Sequence, residues 1–161
     1  MGYNTEFFGA FAVFPKLKEK HQRYLTAFSD TRRVKRSGDG CADTLREAVD
    51  LPAGVDGGNV VANDSIVISN DHPPTGQPGL WCDWSPTHGG EGIAWNGTEK
   101  FYRYVEWLQY LLDNFLVPWG YTLSGQVFYA GENPFDRGII EDQGDRAVAK
   151  ATPATCWQNT E

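Results

Sequence analysis

The chain has 161 residues, 40% of them hydrophobic and 22% charged, a balance that suits one globular domain over residues 1–161 and excludes wholesale disorder. A formal charge of −7 disfavours nonspecific binding to DNA or RNA, which depends on Lys and Arg neutralising phosphates. Three widely spaced cysteines, Cys41, Cys82 and Cys156, argue against a disulfide framework and for a reducing, cytoplasmic setting.

The charge is unevenly spread. Residues 1–36 carry eight Lys/Arg against three Asp/Glu, and residues 37–161 carry six against eighteen. The acidic body suits a basic protein partner through complementary potentials, and it also serves solubility. No charged leader followed by an apolar run opens the chain, and no apolar run is long enough to cross a bilayer, so a membrane partner is not expected.

In chain order, residues 5–14 (TEFFGAFAVF) read as a β-strand with a possible bulge at Gly9. Pro15 opens a helix, predicted over about residues 15–36, because Leu17, His21, Tyr24, Leu25 and Phe28 recur on one helical face. Its other side and end carry Arg32, Arg33, Lys35 and Arg36, an exposed basic run that either pairs with acids or meets a phosphate-bearing ligand. His21 reads as a packed, hydrogen-bonded imidazole.

From Ser37 to Gly79, seven glycines and four prolines mark a long insertion. Inside it, a short helix from Asp43 or Thr44 to Val49 and a strand from Val60 to Ile68 are expected, and DHPPTGQPG, with His72, should be a loop. Leu80 to Thr87 and Gly92 to Asn96 then form a hairpin. Alternation places Leu80, Cys82 and Trp84 on the core side and Trp81 and Asp83 outward.

Asn96, Thr98 and Glu99 offer a helix cap, so a helix is predicted from near Thr98 to just before Pro118, with Phe101, Tyr104, Val105, Leu108, Leu111, Leu112 and Phe115 on its buried face. YTLSGQVFYAGE, DRGIIE and RAVAKA follow as strands, with Gln143-Gly144 as a turn and residues 152–161 as a flexible tail. The fold class is therefore α+β. Two main helices pack on one face of an antiparallel sheet, as a ferredoxin-like β-α-β-β-α-β core with a C-terminal β-hairpin.

More than half of the aromatic residues fall between Trp81 and Tyr129, and rings this dense are either buried or face a partner. An outward Trp81 is a binding anchor, or else it lies under the insertion. Asp83, His88 and Glu91 cluster around the hairpin turn beside Cys82. A metal site or a Cys/His nucleophile can be drawn there, but neither zinc-ligand spacing nor a recognised nucleophile setting is present, so no metal, cofactor or catalytic residue is assigned. The acidic series Glu132, Asp136, Glu141, Asp142 and Asp145 reads as a solvated hairpin, since it lacks a calcium-loop pattern.

The runs GYNTEFFGAF, GLWCDW, EKFYRYVEWLQYLL, PWGYTLSGQVFYAGE and DRGII resemble an uncharacterised family of small proteins of bacteria and their phages. The likeness covers most of the chain outside the insertion. It implies a microbial or viral protein of the host cytosol in an accessory role between phage and host, and it supplies no activity and no site residues.

The expected function is a non-enzymatic binding protein that occupies a partner, an inhibitor or modulator of a host protein. The binding residues would come from Trp81, Asp83, His88, Glu91, Arg32, Arg33 and Arg36. The alternative is a protein that sequesters a nucleotide-like small ligand between Trp faces and the Arg32 to Arg36 run. A weaker alternative is a hydrolase using Cys82, His88 and Asp83. Nothing in the sequence sets an oligomeric state.

Overall fold

A computed structural model describes residues 2–30, 33, 35–36, 67–69, 73, 76–143 and 145–151; the protein is α+β, and among the described residues there are two helices and two four-stranded antiparallel sheets. The expected helix at 43–49, the strand portion before residue 67 and the tail at 152–161 lie outside the described residues, as does His72.

The opening strand is two strands, β1 (Thr5–Phe8) and β2 (Phe11–Phe14). Between them Gly9 takes φ 98°, a conformation that side-chain-bearing residues rarely adopt. The long strand after the second helix divides in the same way at Gly125, φ 96°, into β7 (Thr122–Ser124) and β8 (Gln126–Gly131). The pairs Thr5↔Gly131 to Phe8↔Phe128 and Ala12↔Ser124 to Phe14↔Thr122 keep one register across both breaks. Odd-numbered residues stay inward on both sides of each break. One antiparallel pair therefore bends as a unit, and its halves serve two sheets, ordered β1-β8-β9-β10 and β5-β6-β2-β7. The bulge expected at Gly9 is instead half of a paired corner.

β9 (Arg137–Asp142) and β10 (Ala147–Ala151) complete the first sheet as the C-terminal hairpin. Glu141 ties three strands together, accepting from Gln126 Nε2 at 3.0 Å and Gln143 Nε2 at 2.6 Å and pairing with Lys150 Nζ at 2.6 Å. Those contacts, led by Lys150, hold its carboxyl down to about 2. The second sheet takes β5 (Trp84–Pro86) and β6 (Gly92–Trp95), and its connections carry the two helices. In chain order these elements run β-α-β-β-α-β.

The first helix, α1, is Glu19–Asp30, shorter at both ends than residues 15–36. At its start, the amides of Leu17 and Lys18 donate to the Gly90 carbonyl at 2.9 Å and to Tyr121 Oη at 3.0 Å, outside any helical ladder. Beyond its end, Arg33 N–H donates to Leu80 O at 2.6 Å, and Lys35–Arg36 form β3, paired with β4 (Val67–Ser69). Its inward face is the expected one, and His21 stacks on Trp119 with centroids 3.8 Å apart while Nδ1 meets Tyr121 Oη at 2.7 Å.

The second helix, α2 (Tyr104–Leu111), begins six residues later than Thr98 and continues as a π-helical turn, Leu112–Leu116. The predicted cap is a local turn, since Asn96 Oδ1 accepts from Thr98 N–H at 2.9 Å and Lys100 and Arg103 then take φ 62° and 55°. Trp107, expected on neither face, is fully buried, whereas Tyr104 and Val105 are only partly so. Both helices and the inward residues of both sheets share one core. At its centre Trp84 meets Phe7 and Phe11, one from each half of the bent strand, at 5.3 and 5.6 Å, and its Nε1–H donates to Tyr104 O at 2.8 Å. No helix among the described residues is long and apolar enough to cross a membrane.

Candidate functional site

A cleft of about 710 Å³, within the size range of small-molecule sites, opens where three segments meet. These are the end of α1 (Ser29 and Asp30), the irregular run from Pro78 to Asp83, and the loop from Asn96 to Arg103 that leads into α2.

The Pro78–Asp83 wall is fixed by a buried arginine. Arg33 is 0% exposed, its guanidinium carbon lies 4.1 Å from the centroid of the Phe28 ring, and its Nε–H donates to Gln77 Oε1 at 3.1 Å. With its amide on Leu80 O, this one residue pins residues 77–80 against the end of α1. The expectation of an exposed basic run is therefore wrong at Arg33, because a planar, weakly hydrated guanidinium can be buried against a ring and an amide where an ammonium resists it. Arg36 belongs to β3, and Arg32 lies outside the described residues.

On that wall Trp81 is 44% exposed, while Cys82 and Trp84 are buried. Asp83 is not outward as the alternation implied, being only 2% exposed. Residues 80–83 precede the strand proper, and the hairpin ladder ends with Asn96 N–H donating to Asp83 O at 2.9 Å, so the period of two does not apply to them. Burial pushes the Asp83 carboxyl up to about 6, against the opposing effect of a hydrogen bond from the Asn96 side chain. A carboxyl at that value is charged at neutral pH yet close to accepting a proton, in the wall of an open cleft beside an exposed indole.

The facing loop brings Tyr102, Lys100 and Arg103. Tyr102 is 52% exposed, and its hydroxyl accepts from Tyr3 N–H at 3.1 Å. Lys100 and Arg103 both sit in the left-handed region, where side-chain-bearing residues pay a strain that surrounding structure must offset. Arg103 is the residue before the first turn of α2, and no side chain caps that turn. Behind Gly79, which lines the cleft, the buried Nε1–H of Trp107 has no hydrogen-bond partner among the described residues.

The other expected site residues lie elsewhere. His88 and Glu91 are exposed on the β5–β6 turn and do not line the cleft. The Thr87–Glu91 turn is stitched to β2 and to the start of α1 by Glu91 O and Gly90 O, which accept from Val13 and Leu17 N–H at 2.9 Å. Cys82 is fully buried, its thiol 3.8 Å from Trp84 O, and burial pushes it up to about 12, the opposite of an activated nucleophile. No grouping of three or more His, Cys, Asp and Glu able to hold a metal ion occurs among the described residues.

Sequence reasoning reached Trp81 and Asp83 and missed Tyr102, Lys100, Arg103 and Asn96, which it had assigned to a helix and its cap. The signal for them was weak: only the polar and Gly-containing NGTEK run preceding the apolar face. Comparison with protein-family models, with curated proteins and with solved structures finds no match to the chain.

Proposed function

We propose that the protein is a non-enzymatic binding protein that acts by occupancy, and that its binding site is the cleft walled by Trp81 and Tyr102. The observation that carries this reading is a half-exposed tryptophan on the wall of a cleft of about 710 Å³ whose lining also holds a nearly sealed carboxyl, Asp83. Convergent aromatic faces with a few placed polar groups are the usual make-up of a small-molecule site. The burial of Cys82 and its raised thiol weigh against the Cys82-dependent hydrolase alternative.

Native mass spectrometry of the full chain purified from cells tests the reading directly. A small mass retained by the wild type and lost from Trp81→Ala supports it. Identical spectra with no retained small mass, together with unchanged ligand-pool titrations, count against it.

A second reading, a protein that inhibits or modulates a protein partner, is favoured by the outer face of the first sheet. There Phe8 and Phe128, 49% and 41% exposed, stand directly opposite each other, with Ile139 next in the row. Adjacent exposed rings on a sheet face are typical of an interface centre. Phe128→Glu should abolish capture of a specific partner that Trp81→Ala retains, and the reverse pattern would return the contact to the cleft.

A further inference from the structure

The polar groups of the cleft are of two kinds, and they stand in different parts of its lining. The first kind is the Asp83 carboxyl with the Asn96 amide beside it, on the hairpin side with Trp81. A carboxylate offers two acceptor oxygens and no donor, so it pairs best with a group presenting neighbouring N–H donors on one edge. Being almost sealed from solvent, it gains more from such a partner than a surface acid would, because the desolvation has already been incurred on folding.

The second kind is the pair Lys100 and Arg103, further along the loop that Asn96 begins, with Tyr102. Both take positive φ in the short span just before α2, whose first turn has no side-chain cap and contains one acid, Glu106. Two cations in the residues that lead into a helix start suit a phosphate oxyanion. Trp81 and Tyr102, each about half exposed, offer π-faces that no described ring covers.

A flat heterocycle with an N–H-rich edge and a phosphate some distance away satisfies all three features at once. Among the bases, guanine presents a ring N–H and an exocyclic amino group side by side, whereas adenine presents only an amino group beside an acceptor nitrogen. The amount of phosphate is bounded too. Asp30 and Glu99 also line the cleft, so with Asp83 three acids face two cations, and a polyphosphate would be repelled where a single phosphate would not.

We propose that the cleft binds a guanine nucleotide carrying one phosphate, with its base against Trp81 and Tyr102, its donor edge on Asp83 and Asn96, and its phosphate at Lys100, Arg103 and the start of α2. The proposal rests on the cleft being the binding site, as argued above, and adds the class of ligand.

Isothermal titration of the full chain with 5′-GMP, guanosine, 5′-AMP, GTP and inorganic phosphate tests it. One equivalent of GMP should bind saturably, with guanosine, AMP and GTP each weaker by about tenfold or more. Trp81→Ala should weaken GMP by about tenfold or more, Lys100→Ala should bring GMP and guanosine together, and Asp83→Asn should bring GMP and AMP together in a protein that still melts cooperatively. Absence of saturable GMP binding at millimolar concentration overturns the proposal, as do equal affinities for GMP, guanosine and AMP in the wild type.

A wrong ligand class and a wrong binding site give different results. If GMP does not bind but the wild type retains another small mass that Trp81→Ala loses, the ligand class is wrong and the cleft reading stands. If neither GMP nor any cellular small molecule binds in a Trp81-dependent way, both are wrong.

Discussion

Replacing Asp83 by asparagine should make the protein more stable at neutral pH. Burial raises the carboxyl from 3.8 to about 6, so the folded state holds this proton more tightly than the unfolded chain does. The sign follows. Well below pH 3.8 the group is protonated in both states and carries no charge penalty. As pH rises from about 4 to about 6, the folded state must accommodate a buried charge that the unfolded chain carries freely, and stability falls; above pH 6 the full penalty is present. At about 1.4 kcal/mol per pKa unit the penalty is at most about 3 kcal/mol, and relaxation around a buried charge brings it to roughly 1–2 kcal/mol.

Asparagine keeps the shape and an acceptor oxygen for the Asn96 amide while removing the charge. The variant should therefore melt roughly 2–8 °C above the wild type at pH 7.5, and the gain should shrink to a small fraction near pH 4. Urea denaturation at several pH values gives the same comparison as free energies. A variant less stable than wild type at pH 7.5, or a gain that is equal at pH 4 and 7.5, would refute the reasoning. A residue that reduces the stability of the fold yet sits in a cleft wall is the pattern expected of a group kept for binding.

The remaining predictions concern what builds the cleft and the bend. Arg33→Ala should lose roughly 2–4 kcal/mol in urea melts, since it removes the Phe28 contact, the Gln77 hydrogen bond and the tether on residues 77–80, and a loss below about 0.5 kcal/mol would show that the wall stands without it. Gly9→Ala and Gly125→Ala should each cost about 1 kcal/mol or more, because φ 98° and 96° exclude a comfortable side chain, and a neutral result at both would deny the shared corner. Cys82 should resist thiol reagents until the protein unfolds globally, so peptide mapping that finds it labelled in the native state would contradict its burial. Tyr121→Phe should cost about 1–2 kcal/mol by stripping the Lys18 amide of its acceptor and His21 of its hydroxyl partner, as a thermal melt would report.

The parts of this structure legible in the sequence are those set by side-chain period. His21, Tyr24, Leu25 and Phe28 mark the inner face of α1, and the β5–β6 hairpin follows from its Gly-rich turn; Trp81 is exposed as expected, but in a run before β5 where the strand period does not hold. Period fails where the backbone leaves the regular element. Arg32 to Arg36 looked like the charged last turn of a helix, yet the helix ends at Asp30 and Arg33 turns inward onto Phe28. Asp83 was given an outward face by a strand that begins only at Trp84.

The loop before α2 was the hardest to foresee. Lys and Arg are ordinary helix formers, so nothing in EKFYR announces that Lys100 and Arg103 take left-handed geometry and delay the helix to Tyr104. That delay is what opens the far wall of the cleft, so half of the candidate site depends on a conformation the residue types do not favour. The paired corner was hidden for a related reason: Gly9 and Gly125 are far apart in sequence, and only their shared register makes them one feature.

The account stands or falls on Trp81. The most direct measurement is an NMR titration of the full chain, with tryptophan indole N–H groups labelled and assigned, against a small-molecule extract and then against 5′-GMP. The account predicts that the Trp81 resonance moves and saturates while those of the buried Trp84 and Trp107 stay in place. A Trp81 signal indifferent to every small molecule added would contradict it.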